Sequence, residues 1–337
     1  MNEPVSHPCP PPVESTGSRR PLSTIAALVV CTGMSLAANA QFVTGLAGGS
    51  GSAVGPGGAL FVAEPLAGRI TRVDPRTGEL TTFAEGLPAQ LPSVGIGGVM
   101  DVAFIGSTAY ALTTLVGEDV GGNSVVGIYR IDGPTRSTVV ADLGAFSLAN
   151  PPSTPFFVPT GVPYAIETYR GGFLVTDGHH NRVLHVTLDG EVSEFITFDN
   201  VVPTGLAVSG NTVYMTQLGP VPHDPEDGKI VAFEPGALVA EEIASGARMI
   251  LDVEFGRGRK LYALSQGIWN GVGEGSPALP FTGALLEVNP DGSLTTMAGN
   301  VDRPTSLEII GNTAYIVTLP GEIWRIDNIG SPPFGSR

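Results

Sequence analysis

The sequence predicts an all-β, six-bladed β-propeller closed by its own mature N-terminal strand. Three observations carry that expectation: the composition, a six-fold repeat, and a strand missing from the last repeat that the N-terminus can supply. With 46 glycines, 29 prolines and 7% aromatic residues in 337, and no long amphipathic helical pattern, the chain favours short strands joined by turns. The repeat is clearest in the second strand of each unit: ALFVAE (59–64), TAYALT (108–113), GFLVTD (172–177), TVYMTQ (212–217), KLYALS (260–265) and TAYIVT (313–318). A third strand follows each: GRITRVD (68–74), VGIYRID (126–132), NRVLHVT (181–187), GKIVAFE (228–234), GALLEVN (283–289) and GEIWRID (321–327). Their alternation is that of half-buried strands.

In the first five units a tight turn and a fourth strand come next, as in PRTGELTTFA (75–84), LDGEVSEFI (188–196) and PDGSLTTMA (290–298). The Thr-Gly and Asp-Gly pairs there suit hairpin geometry. A four-stranded unit repeated at intervals of about 40 to 60 residues is the pattern of a propeller. The sixth unit stops after its third strand. The stretch FVTGL (42–46) echoes FAEGL (83–87), the end of the first unit's fourth strand. Residues 41–46 are therefore expected to pair with 321–327, removing an edge that would otherwise invite aggregation.

The ends are set apart from the propeller, which is expected to span 41–328. Residues 1–40 read as an export signal peptide: Arg19-Arg20, an apolar stretch at 25–30, and Ala38-Asn39-Ala40 as the small-x-small cleavage pattern. The Ser18-Arg19-Arg20 triplet leaves twin-arginine and general export both open, and Val30 before Cys31 argues against a lipid anchor. The protein is thus expected to be secreted, periplasmic or in the cell wall. Residues 329–337 read as a disordered C-terminal tail. Cys9 and Cys31 both lie in the leader, which leaves the mature chain without thiol chemistry. The balance of 17 basic against 32 acidic residues gives a net charge of −15, which argues against nucleic-acid and anionic-membrane partners. No later apolar run approaches the roughly 20 residues of a membrane-spanning helix. A monomer is expected.

The runs NPP…PYAIE (150–167), GGFLVTDGHHNRVLHVTLDG (171–190), VPTGLAV (202–208) and ILDVEF…LYAL (250–264) resemble the ScyD/ScyE family of exported propellers. That family is in turn similar to the wider NHL-repeat, gluconolactonase and strictosidine-synthase-like group. The resemblance covers essentially the whole mature chain and implies fold and export. It brings no catalytic motif to map onto this sequence, and Gly178-His179-His180 departs from the small residues expected at that loop.

Site candidates come from propeller geometry. Counting back from the second strands places Gly51, Asp101, Tyr164, Thr204, Asp252 and Thr305 at equivalent entries to the innermost strands. Asp101 and Asp252 fall in opposite units; they either share a hard cation such as Ca²⁺ or cap their own strand entries by accepting backbone N–H groups. Tyr164, Thr204 and Thr305, with Trp269 from a long loop, make a candidate ligand-binding mouth. The loops 113–125, 144–162, 217–227 and 265–282 gather on that face, as inserts of a repeat protein do at a binding side. They bring Phe156, Phe157 and Phe281, and an acidic rim of Glu118, Asp119, Asp224, Glu226 and Asp227. His179, His180 and His223 sit in neighbouring loops and form a second candidate metal set with Asp177, though adjacent residues on an extended chain point opposite ways.

Familiar catalytic patterns are missing. The chain has no GxSxG elbow, no GxxxxGK[ST] loop and no HExxH helix. Two classes of function remain: a binding or scaffold propeller presenting its loop face to a small molecule, glycan or protein, and a metal-dependent hydrolase or lyase with a cation at the channel mouth.

Overall fold

The computed structural model describes residues 40–330. Residues 1–39, which hold Cys9, Cys31 and the Arg19-Arg20 pair read as part of an export signal, and residues 331–337 lie outside the described residues. Strand β1 is Ala40–Val43. Blade 1 follows with β2 (Ser52–Val54), β3 (Leu60–Glu64), β4 (Arg69–Val73) and β5 (Leu80–Glu85). Blade 2 holds β6 (Gly98–Ile105), β7 (Thr108–Thr114), β8 (Gly127–Gly133) and β9 (Arg136–Asp142). Blade 3 has β10 (Pro163–Tyr169), β11 (Gly172–Asp177), β12 (Arg182–Val186) and β13 (Val192–Thr197). Blade 4 has β14 (Pro203–Ser209), β15 (Thr212–Gln217), β16 (Lys229–Phe233) and β17 (Glu241–Ser245). Blade 5 has β18 (Ile250–Phe255), β19 (Leu261–Ser265), β20 (Gly283–Val288) and β21 (Leu294–Val301). Blade 6 has β22 (Pro304–Ile310), β23 (Thr313–Thr318) and β24 (Ile323–Asp327).

Every blade is an antiparallel meander of four strands, and the innermost strands β2, β6, β10, β14, β18 and β22 touch in sequence around a closed ring. This is a six-bladed β-propeller. In blade 6 the fourth, outer place is taken by β1, with Ala40 opposite Arg325, Gln41 opposite Trp324 and Val43 opposite Ile323. Gln41 Nε2 donates to Glu322 Oε1 at 2.6 Å, and Val43 and Leu46 pack with Val62, Val73, Val317 and Ile323.

Burial follows distance from the axis. Strands β3 and β11 are buried at every position, because each blade's second strand is covered on both faces by its neighbours, whereas β5 exposes its first three residues. Six apolar clusters fill the six gaps between adjacent blades. Sheet faces carrying apolar side chains can hide them only against another sheet, and a ring gives every face a partner.

Two local features differ from the sequence expectation. The connection between blades 2 and 3 contains a short helix, α1 (Leu143–Ala149), whose N-terminus is capped by Asp142 accepting from the Ala145 N–H at 2.7 Å. Ile329, assigned to the tail, is buried in the blade 5–6 cluster, and its carbonyl accepts from the Tyr262 hydroxyl at 3.1 Å. No helix among the described residues is long and apolar enough to cross a membrane.

Candidate functional site: the central channel

The innermost strands all start at one face, and their first inward-pointing residues are fixed by hydrogen bonds that run from blade to blade. Gly51 N–H donates to the Met100 carbonyl at 2.7 Å, joining blades 1 and 2. Asp101 Oδ2 accepts from Ile166 N–H at 2.8 Å, joining 2 and 3. The Thr176 hydroxyl donates to the Thr204 carbonyl at 2.7 Å, and the Thr204 hydroxyl to the Ile250 carbonyl at 3.0 Å, joining 3 to 4 and 4 to 5. Asp252 Oδ2 accepts from Leu307 N–H at 2.7 Å, and the Thr305 hydroxyl donates to the Ser50 carbonyl at 3.0 Å, which completes the circle. Each Asp also accepts from the next N–H of its own strand, that of Val102 at 2.8 Å and of Val253 at 2.9 Å.

Strand register corrects the sequence alignment by one residue in half of the blades. Asp101 lies opposite Leu112, Asp252 opposite Leu264 and Ser306 opposite Val317, which are matching positions of their second strands. The true layer is therefore Gly51, Asp101, Ala165, Gly205, Asp252 and Ser306. Turn length is the cause: five residues (55–59 and 256–260) join the first two strands of blades 1 and 5, whereas the corresponding turns of blades 3, 4 and 6 have two, so an equal count back from the second strand overshoots by one to Tyr164, Thr204 and Thr305. The corrected layer reads Gly-Asp-small twice around the ring. The glycines are required by close approach: a Cβ on Gly51 would lie 2.0 Å from Asp101 Oδ1, and one on Gly205 2.5 Å from Asp252 Oδ1. Thr204 and Thr305 are buried in the belt, and of the three residues so reached only Tyr164 and Thr305 line the cavity.

One layer deeper, two residues along each strand and so on the same face, lie Ala53, Ala103, Glu167, Ala207, Glu254 and Glu308. They stand opposite Phe61, Tyr110, Leu174, Tyr214, Tyr262 and Tyr315 respectively. Sequence reasoning found the two aspartates and missed these three glutamates. The available signal was an acid inside an otherwise apolar inner strand, as in YAIETY, ILDVEF and SLEII. The two layers enclose a cavity of about 260 Å³ whose lining holds five carboxylates and no Lys, Arg or His, room for several waters or a small ligand.

The electrostatics follow from that enclosure. Burial pushes Glu167 up to about 7 and Asp252 up to about 7. Burial raises Asp101, Glu254 and Glu308 well above the usual carboxylate range, and the other acids of the cavity add to it. In Asp101 and Asp252 the backbone N–H donors pull the other way. The Glu308 carboxyl has no such donor among the described residues. Tyr164 is raised by burial and by both aspartates.

The histidines are placed differently from the metal set considered for them. His179 Nε2 accepts from the N–H groups of Phe157 and Val158 at 2.8 and 3.1 Å. His180 is buried; its Nε2 bonds the Val158 carbonyl at 3.0 Å, and its Nδ1 lies 3.2 Å from Asp177 Oδ2 and 3.2 Å from an Arg182 terminal nitrogen. His223 Nδ1 bonds the Gly219 carbonyl at 3.0 Å, and its ring packs edge-on to Trp269 at 5.5 Å. Burial lowers the pKa of both His179 and His223. These rings pin the 150–162 and 218–228 loops, and among the described residues no three of His, Cys, Asp and Glu converge as a ready metal shell. Trp269 sits in the β19–β20 connection, outside the cavity lining, while Phe156, Phe157 and Phe281 are exposed.

No protein-family model matches the sequence, and no curated protein sequence matches it. Solved structures do match. The chain is similar to a gluconolactonase from Xanthomonas campestris at 13% identity and a TM-score of 0.60, over 85% of this chain and 88% of that one. It is similar to a PQQ-bound aldose sugar dehydrogenase from Streptomyces coelicolor at 16% identity and a TM-score of 0.61, covering 86% and 96%. A calcium-binding protein, regucalcin, from Agrobacterium tumefaciens matches at 14% identity and a TM-score of 0.55, covering 86% and 96%. Identities this low establish the six-bladed propeller alone, since one fold hosts unrelated chemistries.

Proposed function

We propose that the chain is an exported ligand-binding propeller, of the ScyD/ScyE kind, that takes a small cationic ligand into its central cavity. The observation that carries this reading is the five-carboxylate lining without a single basic side chain. Buried acids of like charge favour their protonated forms, so a cation entering the cavity expels protons and replaces them as the neutralising charge. Glu254 and Glu308 are the principal partners, because their carboxyls are not committed to the belt. Glu167, held at 3.0 Å by the Thr168 hydroxyl, is the third. Asp101 and Asp252 hold the strands at the mouth and contribute field.

A second reading, a metal-dependent hydrolase or lyase, is favoured by the likeness to a calcium-binding propeller and to a gluconolactonase. The donor set suits a hard cation, being all oxygen. Glu254 and Glu308 would hold it, and Ca²⁺ would supply Lewis-acid polarisation of a bound carbonyl.

Titration calorimetry at pH 6.5 with 1,4-diaminobutane and separately with calcium chloride, each in two buffers of different ionisation enthalpy, tests the proposal. Binding with net proton release is expected for the diamine, and loss of that signal in the E167Q/E254Q/E308Q variant. Absence of binding by either probe contradicts a cation site; calcium binding alone transfers support to the second reading.

A further inference from the structure

We propose that residues 267–282, the β19–β20 connection of blade 5, form a lid that lies across the mouth of the channel and gates the cavity. The inference rests on the cavity being the ligand site. Three observations place the lid. Trp269 packs on His223 of the blade 4 loop. Glu274 acts electrostatically on both His223 and His179, the latter in the blade 3 loop. A Cβ at Gly275 would stand 3.2 Å from Ile96 Cδ1, in the connection between blades 1 and 2. In the ring of six, blade 2 is opposite blade 5. A segment rooted in blade 5 that reaches the blade 1–2 connection has to pass over the axis.

The segment is built as one piece. It is a small hairpin with an isolated bridge between Trp269 and Ala278. Trp269 Nε1 donates to Ser276 Oγ at 2.8 Å, the Ser276 hydroxyl donates to Asn270 Oδ1 at 2.7 Å, and Leu279 N–H donates to the Ile268 carbonyl at 2.7 Å. Its root is fixed: Gln266 Oε1 accepts from Ala278 N–H at 2.9 Å, and Gln266 Nε2 donates to the Pro304 carbonyl at 3.3 Å. Among the described residues, every hydrogen bond of residues 269–277 stays within the hairpin and its root. The tip is thus seated on the other blades by packing and charge alone, while Val272 remains 83% exposed. Few buried contacts and no hydrogen bonds across a seam are the marks of a part that opens at low free-energy cost. Gly267, at φ +116°, is the hinge.

The test uses Trp269 as its own reporter. Trp269 and Trp324 are the two tryptophans of the chain, so W324F leaves the lid residue alone. Adding Ile96→Cys and Gly275→Cys creates the only cysteine pair in the chain after leader removal, and oxidation locks the lid. At pH 8 and without ligand, acrylamide is expected to quench Trp269 at least threefold more strongly in the reduced form than in the oxidised form. Stopped-flow mixing with 1,4-diaminobutane is expected to show association and dissociation both slowed at least tenfold by oxidation, with Kd changed less than threefold. Where the pair does not cross-link, excision of residues 271–275 is the opposite perturbation and is expected to speed both rates at least fivefold. Equal quenching in the locked and free forms overturns the lid. Failure of the diamine to bind instead contradicts the ligand reading, and the quenching comparison still decides whether the hairpin opens.

Discussion

The mouth layer and the layer beneath it are two residues apart on the same strands, yet their acids are treated in opposite ways. Asp101 and Asp252 each accept two backbone N–H groups, one from their own strand and one from the next blade. They do the work of interblade fasteners, as Thr176, Thr204 and Thr305 do at other joints. Glu254 and Glu308 face a cavity lined by other acids with burial opposing their charge, and against it Glu254 accepts only the Phe255 N–H and Glu308 no backbone N–H among the described residues. A buried polar group that is satisfied stabilises the fold, whereas one left in want of a partner is a cost that persists where something outside the fold meets it. The difference teaches which layer to read as architecture and which as a site.

Substitutions and a deletion in the two layers and at the closing strand separate fasteners from site residues. Deleting residues 41–47 while keeping residues 1–40 removes most of β1 and opens blade 6 to solvent, and with it the joint to blade 1. The melting temperature is expected to fall by more than about 10 °C with aggregation on heating; a variant melting within a degree or two of the parent contradicts closure by β1. Asp252→Ala leaves the Leu307 and Val253 N–H groups without acceptors, at a cost of about 2–4 kcal/mol. Calorimetric melting should register that as a fall of roughly 6–10 °C. Gly51→Ala is expected to match it by collision with Asp101. The paired replacement E254Q/E308Q should act with the reverse sign, raising the melting temperature at pH 8 by about 2–4 °C through relief of repulsion. Destabilisation by that pair would place the glutamates with the fasteners.

Much of this was legible in the sequence. Six second strands could be read from short apolar runs, because a strand covered on both faces tolerates few polar residues, six third strands from alternation, and the blades repeat their turns. The partner of the last third strand, Ile323–Asp327, could be read from FVTGL. The aspartates were legible by position. The glutamates were less so, since an acid such as Glu308 in SLEII declares itself only once β22 is known to be innermost with that residue turned to the axis. The one-residue error at Tyr164, Thr204 and Thr305 has a physical origin: the turns of blades 1 and 5, at 55–59 and 256–260, are longer than the two-residue hairpins of blades 3, 4 and 6, so equal spacing from the second strand does not reach equivalent residues. The histidines misled for a different reason. Imidazole nitrogens that bind metals also pin loop backbone, and what decides between the two is which atoms face them, here the Phe157 and Val158 N–H groups and the Val158 and Gly219 carbonyls.

The central claim is that the deeper layer holds charge in want of a counter-ion, and the pH dependence of stability tests it most directly. Acids whose folded pKa is raised bind more protons in the native state than in the unfolded one, so their contribution is present at low pH and is lost as pH rises through the folded value. With Glu167 pushed up to about 7 and Glu254 and Glu308 held well above the usual carboxylate range, the ligand-free protein is expected to lose about 5 °C or more of melting temperature between pH 5 and pH 8. The E167Q/E254Q/E308Q variant is expected to lose less than half as much, and saturating 1,4-diaminobutane to restore the wild-type loss at pH 8. A wild-type protein whose stability is flat or rises across that interval, and is unmoved by the diamine, contradicts the account.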